Sequence, residues 1–338
     1  SGKDWFKEFH IDGVRMDAVA NMLYFSYGKN GEKITNQYGG QENLGAVDFF
    51  KEMNSIIHDD FPNVLVVAED STAWPLVTKH PVDGGLGFDS KWNMGWMNDT
   101  LKYFSTDPIF RKDHHGKLTF SFMYAFSENY VLPLSHDEVV HGKKSIVDKM
   151  PGYQEDKLAH TRALYSYQMA HPGKKLNFMG NEFAHGLEWR FYESLEWHLI
   201  EQHEDNKNIQ TFVRDLNKMY LDEKSLWEDG GDTFEWIEHE NYTENMIAFL
   251  RKTRDSKEHI VIVFNFSGTN KIKYRVGVPE NKVYNVIINS DDKKYGGKGI
   301  LKKKKYKPIL ESWNYREQHI EIDVPANTVV FLKPEKEG

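Results

Sequence analysis

Residues 64–69 decide the fold, because they read Val-Leu-Val-Val-Ala-Glu, an unbroken apolar run that ends in a carboxylate. Such a run is typical of a parallel strand that is covered on both faces. Residues 9–17 resemble it, since they also form a β-rich run with a carboxylate, Asp17, at the end. Weaker candidates for parallel strands are residues 87–92, 130–135 and 175–179.

Helical patterns lie between these strands, which predicts an α/β fold built on a parallel sheet. Residues 44–58 carry apolar side chains at helical spacing, and residues 156–170 precede the stop signal His171-Pro172-Gly173. After about residue 227 the pattern changes to short β runs separated by turns, without helices. We therefore predict two domains, an α/β domain over residues 1–222 and an antiparallel β-sandwich over residues 223–338.

Composition excludes several classes of protein. The 338 residues carry 43 Lys and Arg against 51 Asp and Glu, a net charge of −8, which does not favour binding to nucleic acid. No apolar run is long enough for a membrane span, and the absence of Cys excludes disulfides and thiolate metal sites. Aromatic residues make up 14% of the chain and are suited to clefts that hold sugars. The lysine run 302–305 predicts a solvated loop or an edge strand protected by charge.

Three carboxylates follow predicted parallel strands: Asp17, Glu69 and Asp137. In a barrel of parallel strands, this rim is where active sites are built. Arg15 shares a strand face with Asp17 and would keep it ionised, whereas the apolar run before Glu69 would raise the pKa of that carboxyl. One charged and one protonated carboxyl is the arrangement of a glycosidase. When any one of the three carboxylates is considered alone, a role as a helix N-cap or an ion-pair partner is the simpler interpretation.

Three segments of six to eight residues, one around each of these carboxylates, resemble three signature regions of the α-amylase superfamily. The three segments are residues 12–19 (DGVRMDAV), 67–72 (VAEDST) and 134–139 (LSHDEV). A closer similarity, to bacterial-type glycogen branching enzymes, extends over residues 38–43, 136–145, 178–183 and 290–299. The resemblance covers nearly the whole chain.

The resemblance implies a role for each matching residue. Asp17 matches the nucleophile that forms a covalent glucosyl ester, and Glu69 matches the general acid/base. Asp137 matches the carboxylate that holds the 2- and 3-hydroxyls of the reacting sugar. Arg15 matches the arginine paired with the nucleophile, and His136 matches a residue that contacts a sugar hydroxyl. The implied reaction cleaves an α-1,4 link and transfers the chain to a 6-hydroxyl with retention of configuration.

Further candidates are aromatic or metal-related. Trp74 and Trp92 would stack on glucose units, although packing in the core is the favoured alternative for both. The spacing of His136 and His141 does not match a zinc motif, and we expect no metal site and no cofactor. The expected partners are α-glucan donor and acceptor chains, with neither nucleic acid nor membrane.

The chain departs from the family in having five predicted barrel strands, where a closed (β/α)8 barrel has eight. The predicted fold is therefore an incomplete TIM-type barrel, equivalent to strands 4–8, followed by the β-sandwich. The family's first signature region has no counterpart here. We expect the chain to be a fragment that is not a competent enzyme alone, with the N-terminal part of the same protein as a partner, and a cytoplasmic location.

Two alternatives to a branching transferase remain open. The first is an α-amylase-like or debranching hydrolase, because the carboxylates alone do not distinguish transfer from hydrolysis. That distinction depends on the family match in residues 138–145 and 178–189. The second is an inactive fragment that only binds glucan.

Overall fold

The computed structural model of this chain describes residues 2–29 and 33–336. The helices are α1 Gly2–Phe9, α2 Val19–Leu23, α3 Leu44–Asp60, α4 Met94–Phe104, α5 Gly116–Thr119, α6 Ile146–Lys149, α7 Gln154–Ala170, α8 His198–Gln202, α9 Glu204–Asp222 and α10 Lys224–Trp227. The strands are β1 Gly13–Met16, β2 Leu65–Ala68, β3 Ser90–Trp92, β4 Tyr130–Leu134, β5 Lys174–Asn177, β6 Phe234–Glu238, β7 Met246–Lys252, β8 His259–Asn265, β9 Lys271–Val278, β10 Tyr284–Asn289, β11 Lys305–Tyr306, β12 Gln318–Val324 and β13 Thr328–Pro334. Within the described residues, every helix is too short or too polar to cross a membrane.

The chain divides into two compact units, one of residues 1–97 and 124–133 and the other of residues 98–123 and 134–338. In the first unit, β1, β2, β3 and β4 pair side by side in the parallel sense. Val66 and Ala68 of β2 are fully buried, because this strand has a neighbour on each side and packs into the core of the unit. The apolar run therefore forms a parallel strand, but the expectation that both of its faces are covered is wrong, since Leu65 is 55% exposed and Val67 is partly exposed.

The predicted elements of the α/β part are all present. The helix predicted over residues 44–58 is α3, with Asn43 as its N-cap, and the helix predicted over residues 156–170 is α7. In the second unit the carbonyl oxygen of Leu134, the last residue of β4, accepts a hydrogen bond of 2.9 Å from the amide of Phe178. Phe178 directly follows β5, so the fifth predicted strand lies where the pattern placed it.

The C-terminal strands form a six-stranded antiparallel sheet in the order β11-β10-β13-β8-β7-β6 and an antiparallel pair, β12 and β9. Apolar side chains from both sheets share one core, which includes Val263, Val276 and Ile320. The sequence pattern did not indicate β9. Charged and apolar side chains alternate along it and it contains Gly277, so it lacks a continuous apolar run.

Helix α7 is buried almost all round and joins the α/β part of the second unit to its β-sheets. Arg162 of α7 donates hydrogen bonds to the carbonyl oxygens of Ser290 at 2.8 Å and Tyr295 at 3.1 Å. Arg111 likewise donates to the carbonyl oxygen of Phe266 at 2.9 Å. The boundary predicted at residue 222 stays a prediction, although α9 does end there.

Gly13 allows β1 to approach β2 closely. A Cβ atom at this position would lie 2.6 Å from the carbonyl oxygen of Leu65 and 2.9 Å from its Cβ. We expect Gly13→Ala to lower the free energy of unfolding by about 1–3 kcal/mol, because neither backbone can yield without disturbing the pairing. Urea denaturation measures this change.

The matched control is Gly116→Ala, since a Cβ at Gly116 meets no atom within 4 Å. The control should leave stability unchanged or raise it slightly, because alanine favours the helix. Equal stability of the two variants would contradict the close approach of β1 and β2.

Candidate active site

Arg15 connects two of the predicted catalytic carboxylates. Its Nη1 atom donates to Asp17 Oδ1 and to Glu69 Oε2, each at 2.9 Å. The two oxygens are therefore separated by no more than twice that distance, and the carboxyls also hydrogen-bond to each other. Parallel pairing explains the meeting, because Arg15 lies opposite Val67 and both strands end at the same edge.

Glu69 and Asp17 have different surroundings. The side chain of Glu69 is 19% exposed, whereas that of Asp17 is 74% exposed. Burial raises the pKa of Glu69 most, and the hydrogen bond and the charge of Asp17 also raise it; the Ala18 amide and Arg15 act in the opposite direction. The net effect places the pKa of Glu69 above its usual value. The pair can therefore hold one carboxylate charged while the other carries a proton.

Backbone contacts fix the position of Glu69, and no sequence pattern indicated them. Ala18 has a left-handed backbone with φ of 51°, unusual for a residue other than glycine. In this conformation the Ala18 amide donates to Glu69 Oε2 at 2.9 Å. The Val19 amide donates to the Glu69 carbonyl oxygen, and the Glu69 amide donates to that of Met16, each at 2.9 Å.

Trp92 lies beneath the guanidinium of Arg15, whose Cζ is 4.5 Å from the centre of the indole ring. The indole is only 5% exposed. It attracts the cation through its ring face, so it holds Arg15 and offers little surface to a sugar. Trp74 is half-buried and makes an edge contact with Tyr24 at 5.5 Å. These contacts favour the packing alternative for both tryptophans.

A buried ion pair supports the chain directly after Glu69. Lys91 Nζ lies 2.7 Å from Asp70 Oδ2, and both side chains are at most 5% exposed. Lys91 also donates to the Thr72 carbonyl oxygen at 2.8 Å, and the Thr72 hydroxyl donates to Asp70 at 2.8 Å. Removing one partner of such a pair would leave an uncompensated buried charge. Asp70 stands beside Glu69 in the sequence, but only the fold brings Lys91 to it.

Asp137 and His136 belong to the second unit, in a 3-10 turn whose geometry is fixed by Ser135 and Glu138. Glu138 Oε2 accepts hydrogen bonds of 2.6 Å from both the amide and the hydroxyl of Ser135. The Ser135 hydroxyl in turn accepts from the Asp137 amide at 3.2 Å. The Asp137 carboxylate is 44% exposed, and its Oδ1 lies 3.5 Å from His136 Nε2. The approach of Asp137 to Asp17 and Glu69 stays a prediction.

Asp137 and His136 line an open cleft of about 730 Å³ with residues 186–192. The Glu188 carboxylate accepts hydrogen bonds from the amides of Gly142 at 3.0 Å and Lys144 at 2.6 Å. These bonds lower the pKa of Glu188 and keep its acceptor oxygens charged. The structure thus brings together the two segments, residues 138–145 and 178–189, that carry the closer family similarity. Among the described residues, no three His, Asp or Glu side chains are grouped to hold a metal ion.

Comparison with known proteins gives three consistent similarities. Residues 236–335 match the family described as the alpha amylase C-terminal all-beta domain. The chain is 61% identical to a 1,4-alpha-glucan branching enzyme of Fusobacterium nucleatum and 52% identical to one of Halothermothrix orenii. Each alignment covers 98% of this chain and 53% of the relative, so the chain spans about half the length of these curated relatives.

Solved structures share the fold. An alpha-amylase from Geobacillus thermoleovorans complexed with acarbose has a TM-score of 0.62 at 13% identity, covering 99% of this chain and 62% of that one. An alpha-amylase from H. orenii has a TM-score of 0.62 at 15% identity, covering 98% of this chain and 63% of that one. The predicted fold class, part of a parallel α/β barrel followed by an antiparallel β domain, is confirmed. This chain is therefore similar over nearly its whole length to part of the bacterial 1,4-α-glucan branching enzymes, and its residues 236–335 match the alpha amylase C-terminal all-beta domain.

Proposed function

We propose that this protein is a glucanotransferase that cleaves an α-1,4 link in an α-glucan and transfers the released chain to a 6-hydroxyl, forming an α-1,6 branch. The observation that carries the proposal is the contact of Arg15 with both Asp17 and Glu69 through one nitrogen. Inverting glycosidases hold their carboxyls ~6.5–9.5 Å apart, whereas retaining enzymes hold them at ~5–5.5 Å. The closeness of the Asp17 and Glu69 oxygens supports a retaining double displacement. The cytoplasmic location expected from the sequence is part of the proposal.

The first displacement uses the two carboxyls in different protonation states. An Asp17 oxygen attacks the anomeric carbon, and the proton of Glu69 passes to the departing 4-oxygen. The raised pKa of Glu69 extends upward the pH range in which that proton is available. Arg15 stabilises the charge of Asp17 until the ester forms.

The second displacement requires Glu69 to become a base. Esterification removes the negative charge of Asp17. This charge raises the pKa of Glu69, so its removal cancels that part of the upward shift. The pKa of Glu69 then falls, and the carboxylate takes the proton of an acceptor 6-hydroxyl. The oxygen of that hydroxyl attacks the anomeric carbon and breaks the bond between this carbon and the Asp17 oxygen, which releases Asp17 as a carboxylate. In this scheme Asp137 holds the 2- and 3-hydroxyls of the reacting sugar and His136 contacts a hydroxyl, as the family resemblance implies.

The hydrolase alternative uses the same carboxylates, with water in place of the 6-hydroxyl. Transfer is favoured by the similarity of residues 138–145 and 178–189 to branching enzymes and by the contacts of Glu188 that join these segments. An acceptor hydroxyl has to reach the ester before water does, so the groups around the ester decide the outcome.

Asp17→Asn tests the proposal in the complete gene product. The unchanged protein should lower the colour of the amylose–iodine complex with few new reducing ends, because branching shortens linear chains without hydrolysis. We expect Asp17→Asn to reduce this turnover by several orders of magnitude, because the nucleophile is lost, while binding of glucan persists. Asp59→Asn, which changes an exposed carboxylate near the end of α3, is the control and should keep full activity.

Reducing ends that appear as fast as the iodine colour falls would identify a hydrolase and contradict the proposed transfer. The 338-residue chain is assayed in parallel. Robust turnover by it would contradict the expectation that it is not competent alone.

We also predict that substitutions of Arg15 and of Asp17 shift the pKa of Glu69 in opposite directions. Arg15→Gln removes a positive charge that lowers this pKa, so we expect the pKa to rise further and the alkaline limb of the rate profile to move to higher pH. Asp17→Asn removes a negative charge that raises it, so we expect the pKa to fall toward its ordinary value. Carbon-13 NMR titration of labelled glutamate carboxyls measures both, with the Glu69 signal assigned by Glu69→Gln.

Arg190→Gln is the control for lost charge, since Arg190 is an exposed guanidinium paired with Glu193 at 3.0 Å. It should leave the titration of Glu69 unchanged. Shifts of the same sign in Arg15→Gln and Asp17→Asn would show that the two charges do not act on Glu69 as described.

A further inference from the structure

The outer face of the β9–β12 pair carries charged side chains of both signs. Core-facing residues of this pair include Val276 and Ile320, so the alternate positions point away from the core. Arg275 lies directly opposite Glu321, with Nε and Oε1 3.8 Å apart. Lys273 and Asp323 extend the same face, and the Lys273 amide donates to Asp323 Oδ1 at 2.8 Å.

A hairpin with an aromatic tip crosses one end of this face. Trp313 and Arg316 exchange two backbone hydrogen bonds of 3.0 Å, and the two residues between them, Asn314 and Tyr315, have φ of 49° and 58°. Two positive φ values define the type I′ turn, in which glycine is preferred. A tyrosine in this conformation is an outlier that calls for a functional explanation. Tyr315 is fully exposed and Trp313 is 42% exposed.

The hairpin is anchored to the sheet beneath it. The Gly277 amide donates to Asn314 Oδ1 at 3.1 Å, and Asn314 Nδ2 donates to Glu238 Oε2 at 3.3 Å. A Cβ at Gly277 would lie 2.4 Å from the Trp313 carbonyl oxygen, so the contact requires glycine. The Arg275 guanidinium lies 5.2 Å from the centre of the Trp313 ring. The exposed rings are therefore presented on a fixed backbone.

The other end of the face opens into a cleft of about 760 Å³. Its lining includes Lys273, Glu321 and Asp323 from the outer face, together with Lys303 and Lys305. The face and the cleft are therefore continuous. The seven residues of β12 give this strip a length of ~20 Å, which suits an elongated ligand.

We propose that this strip binds an α-glucan chain, with sugar rings stacked on Trp313 and Tyr315 and sugar hydroxyls bonded to Arg275, Glu321 and Lys273. Together, the outer face and the cleft are close to neutral, with five cationic side chains against four carboxylates, so the strip has no strong attraction for a polyanion: Lys273, Arg275, Lys303, Lys305 and Lys307, and Glu311, Glu321, Asp323 and Glu335. Charged groups interleave with the aromatic rings, whereas the core of a protein–protein interface is depleted of charge. Flat apolar rings beside paired donors and acceptors match a neutral polyhydroxyl chain. The choice of α-glucan rests on the proposed function.

The experiment measures binding without turnover, by electrophoresis of the 338-residue chain in native gels containing amylopectin. The chain should be retarded. Trp313→Ala/Tyr315→Ala should weaken the apparent affinity roughly tenfold, the loss expected for two ring stacking contacts. Tyr153→Ala is the matched control, since Tyr153 is 87% exposed at the start of α7. It should leave the retardation unchanged.

Two further measurements separate this proposal from its alternatives. Tyr315→Ala alone removes a fully exposed side chain, so an unchanged melting temperature with weakened retardation excludes unfolding as the cause. Hydrogen exchange with maltoheptaose should show protection in residues 271–278 and 309–316. Asp17→Asn should be retarded like the unchanged chain, so the result stands whether or not the protein forms branches.

Three outcomes would overturn the proposal. The first is absence of retardation by amylopectin, and the second is equal retardation of the double variant and the Tyr153→Ala control. The third is protection by maltoheptaose confined to segments outside residues 271–278 and 309–316.

Discussion

The guanidinium of Arg15 is the group on which the paired carboxyls of Asp17 and Glu69 depend. Two carboxyls in hydrogen-bond contact repel when both are ionised, and one cation 2.9 Å from each of them limits that repulsion. Burial then decides which carboxyl keeps a proton, because Glu69 is far less exposed than Asp17. Gly13, which lets β1 approach β2, and Trp92, which holds the cation from below, both serve this contact. The parallel sheet thus positions the Arg15 cation as well as the two carboxyls.

The sequence predicted this part of the site because adjacent parallel strands end at a common edge. Two apolar or β-rich runs each end in a carboxylate, and Arg15 lies two residues before Asp17. These groups meet if β1 and β2 are neighbours, which they are. The left-handed Ala18 and the Lys91–Asp70 ion pair could not be predicted in this way. An alanine carries no sign of its backbone conformation, and Lys91 reaches Asp70 only through the short strand β3.

In the β domain too, the sequence pattern predicts only the strands that carry an apolar run. Strands such as β8 and β13 are buried along most of their length and appear as apolar runs. By contrast, β9 alternates core residues with charged ones and is interrupted by Gly277, so it showed no apolar run. The lysine run 302–305 predicts a solvated loop or an edge strand protected by charge, and it leads into β11 at the edge of the sheet. Some of the same lysines line the cleft that continues the outer face of β9 and β12.

In the proposed function, the formation of the glycosyl ester and the choice of its acceptor depend on different parts of this molecule. In the proposed mechanism the carboxyls of Asp17 and Glu69, at the ends of β1 and β2, form and break a glycosyl ester, a step that hydrolases and transferases of the retaining type share. Whether water or a sugar hydroxyl takes the ester depends on groups that surround it and on how a polymeric acceptor is held. Glu188 accepts hydrogen bonds from the amides of Gly142 and Lys144, in the loop that follows Asp137, and so restrains the wall of the cleft that Asp137 lines. A polymer held at a second place on the same protein would meet the ester at a higher local concentration than a free chain does, which favours transfer over hydrolysis.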